Sequence, residues 1–511
     1  MSPRINAITL LVIALAGCPA KRRRTPDDTI VLLIEAAITT LDPRYTTTNL
    51  ETKVSRLIAP GLTTVDTPTG EPELMLAAAI DRVDPLTIDV TLRDATFSDG
   101  NPVRAEDVVR SYQTVMDDNC GSLYQKGFLD RFVKIEALDA KHVRFYLHAP
   151  LAMFMNDVDF GVISFHGVPP GTCRPPKLVG AGPYKLAELT AREARIDANP
   201  RFFGTTPKTP HVVVRTVRDA SARILMLVGG SADLVQNAIR GDLIEDVIKR
   251  PRVRVETGPS VLLTYMLLNN EDPVLKDKRV RQALALALDR RAIIDAKYAG
   301  RAVLATGLLP PSHWAYNGNV AHWEHDIARA KALLDEAGLK PDPRGIRLHL
   351  VYKTSADAFR VAIARVIAAQ LADVGIDVEV RSFEFGTFFA DIKNGNYQIA
   401  TMQSPEITEP DFYRWFFHSS NMPGTKNSES SNRWRYRNPE IDRLTDAGRT
   451  ELDPAKRKQI YGDAQRIIAE DVPIIPLWHE DNVALSNVDL KGYKIVPNAR
   501  YIGLIGASKS P

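Results

Sequence analysis

The side chains that carry covalent and metal chemistry are few and scattered in this sequence. Its 511 residues hold three cysteines, Cys18, Cys120 and Cys173, and ten histidines. No HExxH pair and no cysteine pair at zinc spacing occurs, so no motif for a metal site is present. "HWEH" (322–325) brings His322, Glu324 and His325 together. Asp326, just after it, reads as the N-cap of "IARAKALL", which leaves the trio on a surface. No Walker A sequence offers a phosphate cradle, and no G-x-S-x-G elbow presents a nucleophile. "VGG" and "GAG" read as turns. "RWRYR" (433–437) interleaves arginine with aromatic rings, as surfaces for single-stranded nucleic acid do. It abuts "NPEID" in a polar stretch and reads instead as a solvated loop at a cleft rim. No catalytic residue, metal or cofactor is expected. What remains is binding, and the question of what the three thiols do.

A chain of this length exceeds one hydrophobic core, so two or three domains are expected. Charged residues make up 25% and the net charge is +3, which gives no electrostatic ground for a nucleic-acid partner. No run of about 18 apolar residues occurs, so no membrane span is expected. The opening segment departs from this profile. Arg4 precedes an apolar run (5–16), and the small residues Ala16 and Gly17 lead to Cys18, as in an exported leader. Leu15-Ala16-Gly17-Cys18 resembles the bacterial lipobox. That resemblance implies a lipoprotein signal peptide at 1–17 and lipidation at Cys18; an ordinary signal peptide with an incidental cysteine is the alternative. Several acyl chains hold firmly, because each buried CH₂ adds about 0.8 kcal/mol. Residues 18–28 read as a flexible tether ending in Thr25-Pro26-Asp27-Asp28. Its basic run, Lys21 to Arg24, either meets anionic headgroups or stays solvated.

Strand-like and helix-like patterns alternate through the rest. "TIVLLIEAAI" (29–38) reads as a buried strand, and "TIDVTLR" (87–93) and "HVRFYLHAP" (142–150) as strands. "RAEDVVRSYQTVM" (104–116) and "ARILMLVGGSADLVQ" (222–236) read as helices, the second stopping at Gly229-Gly230. "DKRVRQALALALDRRAIIDAKY" (277–298) is expected to be helical. Between 346 and 403 the order β-α-β-α-β calls for right-handed crossovers and a mostly parallel sheet. Glu409 and Asp411 read as caps of a helix starting near Phe412. "DPAKRKQIYGDAQRIIAEDV" (453–472) is a helix capped by Asp453 with Pro454 behind it, and "PIIPLWHEDNVALS" (473–486) is extended.

Five blocks carry a wider resemblance. "LRDATFSDGNPVRAEDVVRSYQ" (92–113), "GAGPYKLAE" (180–188) followed by "NPRFFG", "DKRVRQALALALDRRAI" (277–293), "YRNPEIDRL" (436–444) and "PIIPLWHEDN" (473–482) resemble, in order, blocks of the family 5 extracytoplasmic solute-binding proteins. These are the oligopeptide, dipeptide and nickel receptors of ABC importers. The resemblance implies an α/β, two-lobed periplasmic-binding-protein type II fold with an additional N-terminal subdomain, its lobes joined by extended hinge segments. Lobe one would span 27–257, with the subdomain at about 66–175, and return at 484–511; lobe two would span 258–483. Crossovers are expected near 256–268 and 474–486. The implied function is capture of a small solute, a peptide first, and its delivery to an ABC permease and ATPase by a monomeric, non-enzymatic, membrane-tethered envelope protein. A sugar, opine or metal-chelate receptor is the second reading, and a non-transport sensor or enzyme on the same scaffold the third. In peptide receptors of the family an aspartate in a Trp-x-x-Asp motif pairs with the α-ammonium. The matching stretch "QSPEITEPD" puts Glu406 on that aspartate and Gln403 on the tryptophan; a solvated loop position is the other reading of Glu406. Lys353 or Arg360 would supply the cation for a peptide carboxylate. In an oxidising compartment Cys120 and Cys173 would either pair within the subdomain or remain two thiols.

Overall fold

A computed structural model describes residues 25–239, 241–404, 406–425 and 431–509. The leader, Cys18 and most of the tether lie outside the described residues. Two large sheets dominate the molecule. The first has seven strands in the order Val253–Gly258, Asn482–Asn487, Leu234–Gln236, Thr29–Ile34, His211–Thr216, Glu193–Ala198, Tyr184–Leu189. Its centre is Thr29–Ile34, parallel to both neighbours. Ile30, Leu32 and Ile34 face one hydrophobic cluster, while Val31 and Leu33 face another. A strand covered on both faces needs such a continuous apolar run.

The second sheet has six strands in the order Ala302–Leu304, Ile474–Glu480, Leu263–Leu268, Ile399–Gln403, Leu348–Ser355, Ile376–Phe383. Leu348–Ser355 runs parallel to both Ile376–Phe383 and Ile399–Gln403, with helices Ala358–Ala372 and Phe385–Asn394 in the crossovers. Leu263–Leu268 and Ile474–Glu480 pair antiparallel, so the sheet is mixed. Leu263, Tyr265 and Leu267 enter one core, Met266 and Leu268 the other. That is the period of two on a doubly covered sheet.

A four-stranded antiparallel sheet, Ala77–Asp84, Thr87–Leu92, His142–Leu147, Phe132–Ala137, forms a smaller unit. Ile88, Val90 and Leu92 alternate inward, matched by Val143, Phe145 and Leu147. Helix Ala105–Met116 covers that face, and its Tyr112 ring meets Phe128, Phe132, Phe145 and Phe160. Cys120 and Cys173 are disulfide-bonded across 53 residues, a closure worth about 4 kcal/mol on the chain-entropy account. Gly182 donates its N–H to Ile58 O at 2.9 Å, and a Cβ at Gly180 or Gly182 would collide with the Leu57–Ile58 backbone. "GAG" is therefore a close approach between backbones, not just a turn.

The chain passes between the large sheets twice. Residues 259–262 link Val253–Gly258 to Leu263–Leu268, and Asp481 alone links Ile474–Glu480 to Asn482–Asn487. Asn482 donates to Pro259 O at 3.0 Å and to Pro497 O at 2.9 Å, which ties the two crossings side by side.

Several local expectations are corrected. Thr25 is not in a flexible tether: it is buried, its N–H bonds Gly230 O, and its hydroxyl donates to Asp233 at 2.6 Å. The buried Asp233 carboxylate needs donors, and it also takes the N–H of Val31 and the ammonium of Lys509. The helix expected over 277–298 breaks into Lys278–Ala287 and Arg290–Tyr298, because the Asp289 side chain accepts from Ala292 N and starts a new helix. "RWRYR" is not a solvated loop. Trp434 is fully buried among Tyr265, Phe416 and Phe417, and Tyr436 is buried beside Phe417. The sequence shows its flanking polarity but not the aromatic partners, which arrive from two distant elements.

Candidate functional site

A cleft of about 490 Å³ lies beside the crossings. Lobe one contributes Glu35, Lys53 and Asn237; lobe two contributes Tyr298, Arg360 and Gln403. Asn237 ends strand Leu234–Gln236 in the left-handed region, φ +55°, which asparagine tolerates better than most residues. Its amide donates to Asn482 Oδ1 at 2.8 Å and accepts from Val483 N at 2.8 Å, so the cleft floor is fixed to the second crossing.

The cationic side chains that line the cleft are engaged by the protein itself. Arg360 reaches Glu480 at 3.4 Å, and the same Glu480 oxygen accepts from Thr264 Oγ1 at 2.6 Å and Tyr298 OH at 3.0 Å. Burial works against the Arg360 charge, but Glu480 and Tyr298 outweigh it and its pKa rises. Burial, then the Glu480 charge, raises the Tyr298 phenol, so it stays a proton donor. Arg301 beside strand Ala302–Leu304 pairs with Glu245 on helix Gly241–Ile248 of lobe one. Arg223 is held by the carbonyls of Ala238 at 2.7 Å and Arg218 at 2.9 Å. Lys53, on helix Asn49–Ser55, crosses to Glu406 at 3.2 Å.

The residues proposed from sequence part company here. Gln403 lines the cleft. Glu406 stands behind Lys53, paired with it and buried at Oε1. Lys353 is not among the lining residues: its ammonium binds Asp391 at 2.7 Å within lobe two and sits over the Phe383 ring. Arg360, its alternative, does line the cleft. Glu409 does not cap helix Phe412–Phe417, and Asp411 stands at its N-cap position without a capping hydrogen bond from its side chain. Glu409 takes a buried two-pronged bond from Arg457 at 2.7 and 3.2 Å, and Asp411 accepts from Tyr461 OH at 3.0 Å. Lys53, Arg301 and Glu245 have no local sequence signature, since each acquires its role from a partner in the other lobe. Glu480 and Asn482 lie inside "PLWHEDN", within the stretch where the resemblance places a crossover, but the sequence singles out neither residue there.

Among the described residues no group of three or more His, Cys, Asp and Glu side chains could hold a metal ion, and none of the helices is long and apolar enough to cross a membrane. The chain matches bacterial extracellular solute-binding proteins, family 5, over residues 71–424. It is 26% identical over 435 residues to the dipeptide-binding protein of Escherichia coli strain K12, covering 79% of each chain. The ABC transporter substrate-binding protein CtaP of Listeria monocytogenes superimposes with a TM-score of 0.84 at 26% identity, covering 94% of this chain and 99% of that one. NikZ of Campylobacter jejuni, solved with Ni(L-His), gives a TM-score of 0.80 at 25% identity, covering 95% and 100%. With a profile match over most of its length and a two-lobed fold closed around a cleft at two crossings, the chain belongs to family 5 of the bacterial extracellular solute-binding proteins.

Proposed function

We propose that this receptor captures a peptide between its lobes and hands it to an ABC permease and its ATPase. The observation that supports this is the cleft itself, whose wall comes from both sheets while only residues 259–262 and Asp481 join them. A ligand touching both lobes favours the closed form by its differential affinity for the two states. Moving the lobes from 1% to 99% closed takes about 5.5 kcal/mol of that difference. No bond of the solute changes, so the chain is a receptor and not an enzyme. Peptide is the first reading because the dipeptide-binding relative matches along most of both chains. A metal chelate is the second, favoured by the likeness to NikZ; such a solute would bring its own ligands. The protein works outside the cytoplasm. We further assign its anchorage to lipid on Cys18 and its working state to a monomer. Cys18→Ser is expected to release it from membranes, and unchanged membrane attachment would remove the anchor.

Native mass spectrometry of the chain from residue 19 onward, exported and purified without denaturation, tests the solute reading. A retained series that fragments as peptides supports it. A single non-peptide mass replaces it with the second reading.

A further inference from the structure

A second cavity, of about 370 Å³, lies where the small four-stranded unit meets lobe two. Arg131, just before strand Phe132–Ala137, and Met153 line it from the smaller unit. Phe412, Trp415, Arg414 and Arg449 line it from lobe two. The Ala152 N–H reaches Arg449 O at 3.3 Å, so the two backbones meet beside the cavity. A ligand held there touches both bodies.

Three guanidinium groups line this cavity against one carboxylate, Asp411. Two of the three are engaged. Arg131 Nε lies 3.1 Å from Asp157, and Arg414 Nε donates to Asp446 at 2.8 Å. Arg449 differs from both. It is half-buried in the last turn of helix Pro439–Thr450, a position that suits a cation. Its guanidinium makes no hydrogen bond and no ion pair with any described residue. It does feel the buried Asp157. Burial raises the pKa of that carboxyl; Arg131 pulls it down, Asp411 pushes it up, and Arg449 pulls it down less than Arg131 does. Arg449 is thus the lesser neighbour of a carboxylate that already has a partner. The first cleft offers no such group. There Lys53 is held by Glu406, Arg301 by Glu245, Arg360 by Glu480, and Arg223 by backbone carbonyls.

A free guanidinium presents parallel N–H donors that match a carboxylate in a two-pronged bond. Beside it the Phe412 and Trp415 rings, edge to face at 5.9 Å, and Met153 supply half-buried apolar surface. A cationic ligand suits the cavity less well. Asp411 already accepts from Tyr461 OH, and the three guanidinium groups repel a further positive charge.

We propose that this cavity is a second binding site, which takes a small carboxylate with an apolar body and holds it on Arg449. It is independent of which solute the first cleft captures.

The test titrates 3-phenylpropionate and its neutral amide, 3-phenylpropionamide, into the chain from residue 19 onward by isothermal calorimetry. That chain contains the whole described body. The acid is expected to bind about tenfold or more tightly than the amide, as a charge-assisted hydrogen bond requires. Arg449→Met is expected to erase that preference. Arg449→Lys keeps the charge without the two-pronged fit and is expected to keep an intermediate preference. Trp415→Ala is expected to weaken acid and amide alike. An acid that binds no better than the amide, or a preference that survives Arg449→Met, overturns the inference, as does failure of either probe to bind. Should Arg449→Met not fold, a full wild-type preference in Arg449→Lys overturns it instead. Binding untouched by Trp415→Ala removes the apolar half of the site. None of these outcomes bears on the peptide reading, which the retained solute of the first cleft decides.

Discussion

Glu406 and Glu409 lie three residues apart in one segment of lobe two, and the fold treats them in opposite ways. Glu409 turns inward. Arg457 of helix Pro454–Asp471 grips both its oxygens, and that guanidinium also donates to Gly448 O at 3.0 Å and lies over the Trp314 and Tyr461 rings. Glu406 turns outward to a lysine on the other lobe, with a single approach and an oxygen left open. A planar fork matched to a carboxylate fixes geometry; a lysine ammonium acts as a movable point charge. The first pair is closed within one rigid body. The second exists only while two bodies are together. The same chemical group is therefore held within one lobe at one position and across the two lobes at the other, and the choice of cation separates them.

The sharpest break in that comparison comes from Arg457→Ala. It strands a buried carboxylate that water cannot reach without unfolding lobe two, and the expected loss is about 3–5 kcal/mol in urea denaturation. A loss below about 1 kcal/mol would mean Glu409 is hydrated like a surface group, and the contrast with Glu406 would collapse. A slightly smaller effect comes from the hinge. Burial pushes the His479 imidazole down to about 4, and its Nδ1 lies 3.2 Å from Leu262 O of the other crossing. The folded pKa is below the unfolded value of 6.5, so the unfolded chain binds the proton first. His479 therefore contributes its full stability above pH 6.5 and loses it as pH falls towards 4, about 3 kcal/mol in all. His479→Asn keeps a donor for Leu262 and removes the titration. The difference in stability between wild type and variant should shrink or reverse between pH 7 and pH 4.5; a pH-independent difference would place a hydrated imidazole at the crossing.

What could be read from the sequence follows the same division between local and distant causes. The doubly buried run at Thr29–Ile34, the stop at Gly230 with φ +79°, and the Asp453 cap with Pro454 behind it are all written within a few residues, and the structure has them. The alternation of strands and helices over 346–403 likewise sets a parallel trio at the heart of lobe two. "PIIPLWHEDNVALS" is extended as expected and contains the passage between sheets that the resemblance places within 474–486, but nothing in it singles out Asp481 as the dividing residue. The fate of Thr25 depends on Asp233, that of Trp434 on Tyr265 and Phe416, and that of Glu409 on Arg457. Helix period and capping carry no information about such partners. Lys353 shows the same limit from the other side: a cation near the end of a strand suits a solute carboxylate, yet Asp391 on helix Phe385–Asn394 claims it first.

The smallest effect on stability is expected at the cleft, and it is the one that decides whether the second pair parts with the lobes. Lys53→Ala removes the cation beside a carboxylate that is nearly as buried as Glu409. Static burial alone would assign it the same cost of about 3–5 kcal/mol. The lobes, however, are joined only by 259–262 and Asp481, so they can part and admit water to Glu406 without disturbing either core. Opening offers the stranded charge a route that Glu409 lacks. The expected loss is therefore below about 1 kcal/mol in the same urea titration, accompanied by a larger radius of gyration in solution scattering of the ligand-free protein. A loss as large as that of Arg457→Ala, with no expansion, would show that the two lobes behave as one body in the absence of solute. Glu406 would then be a second fold anchor.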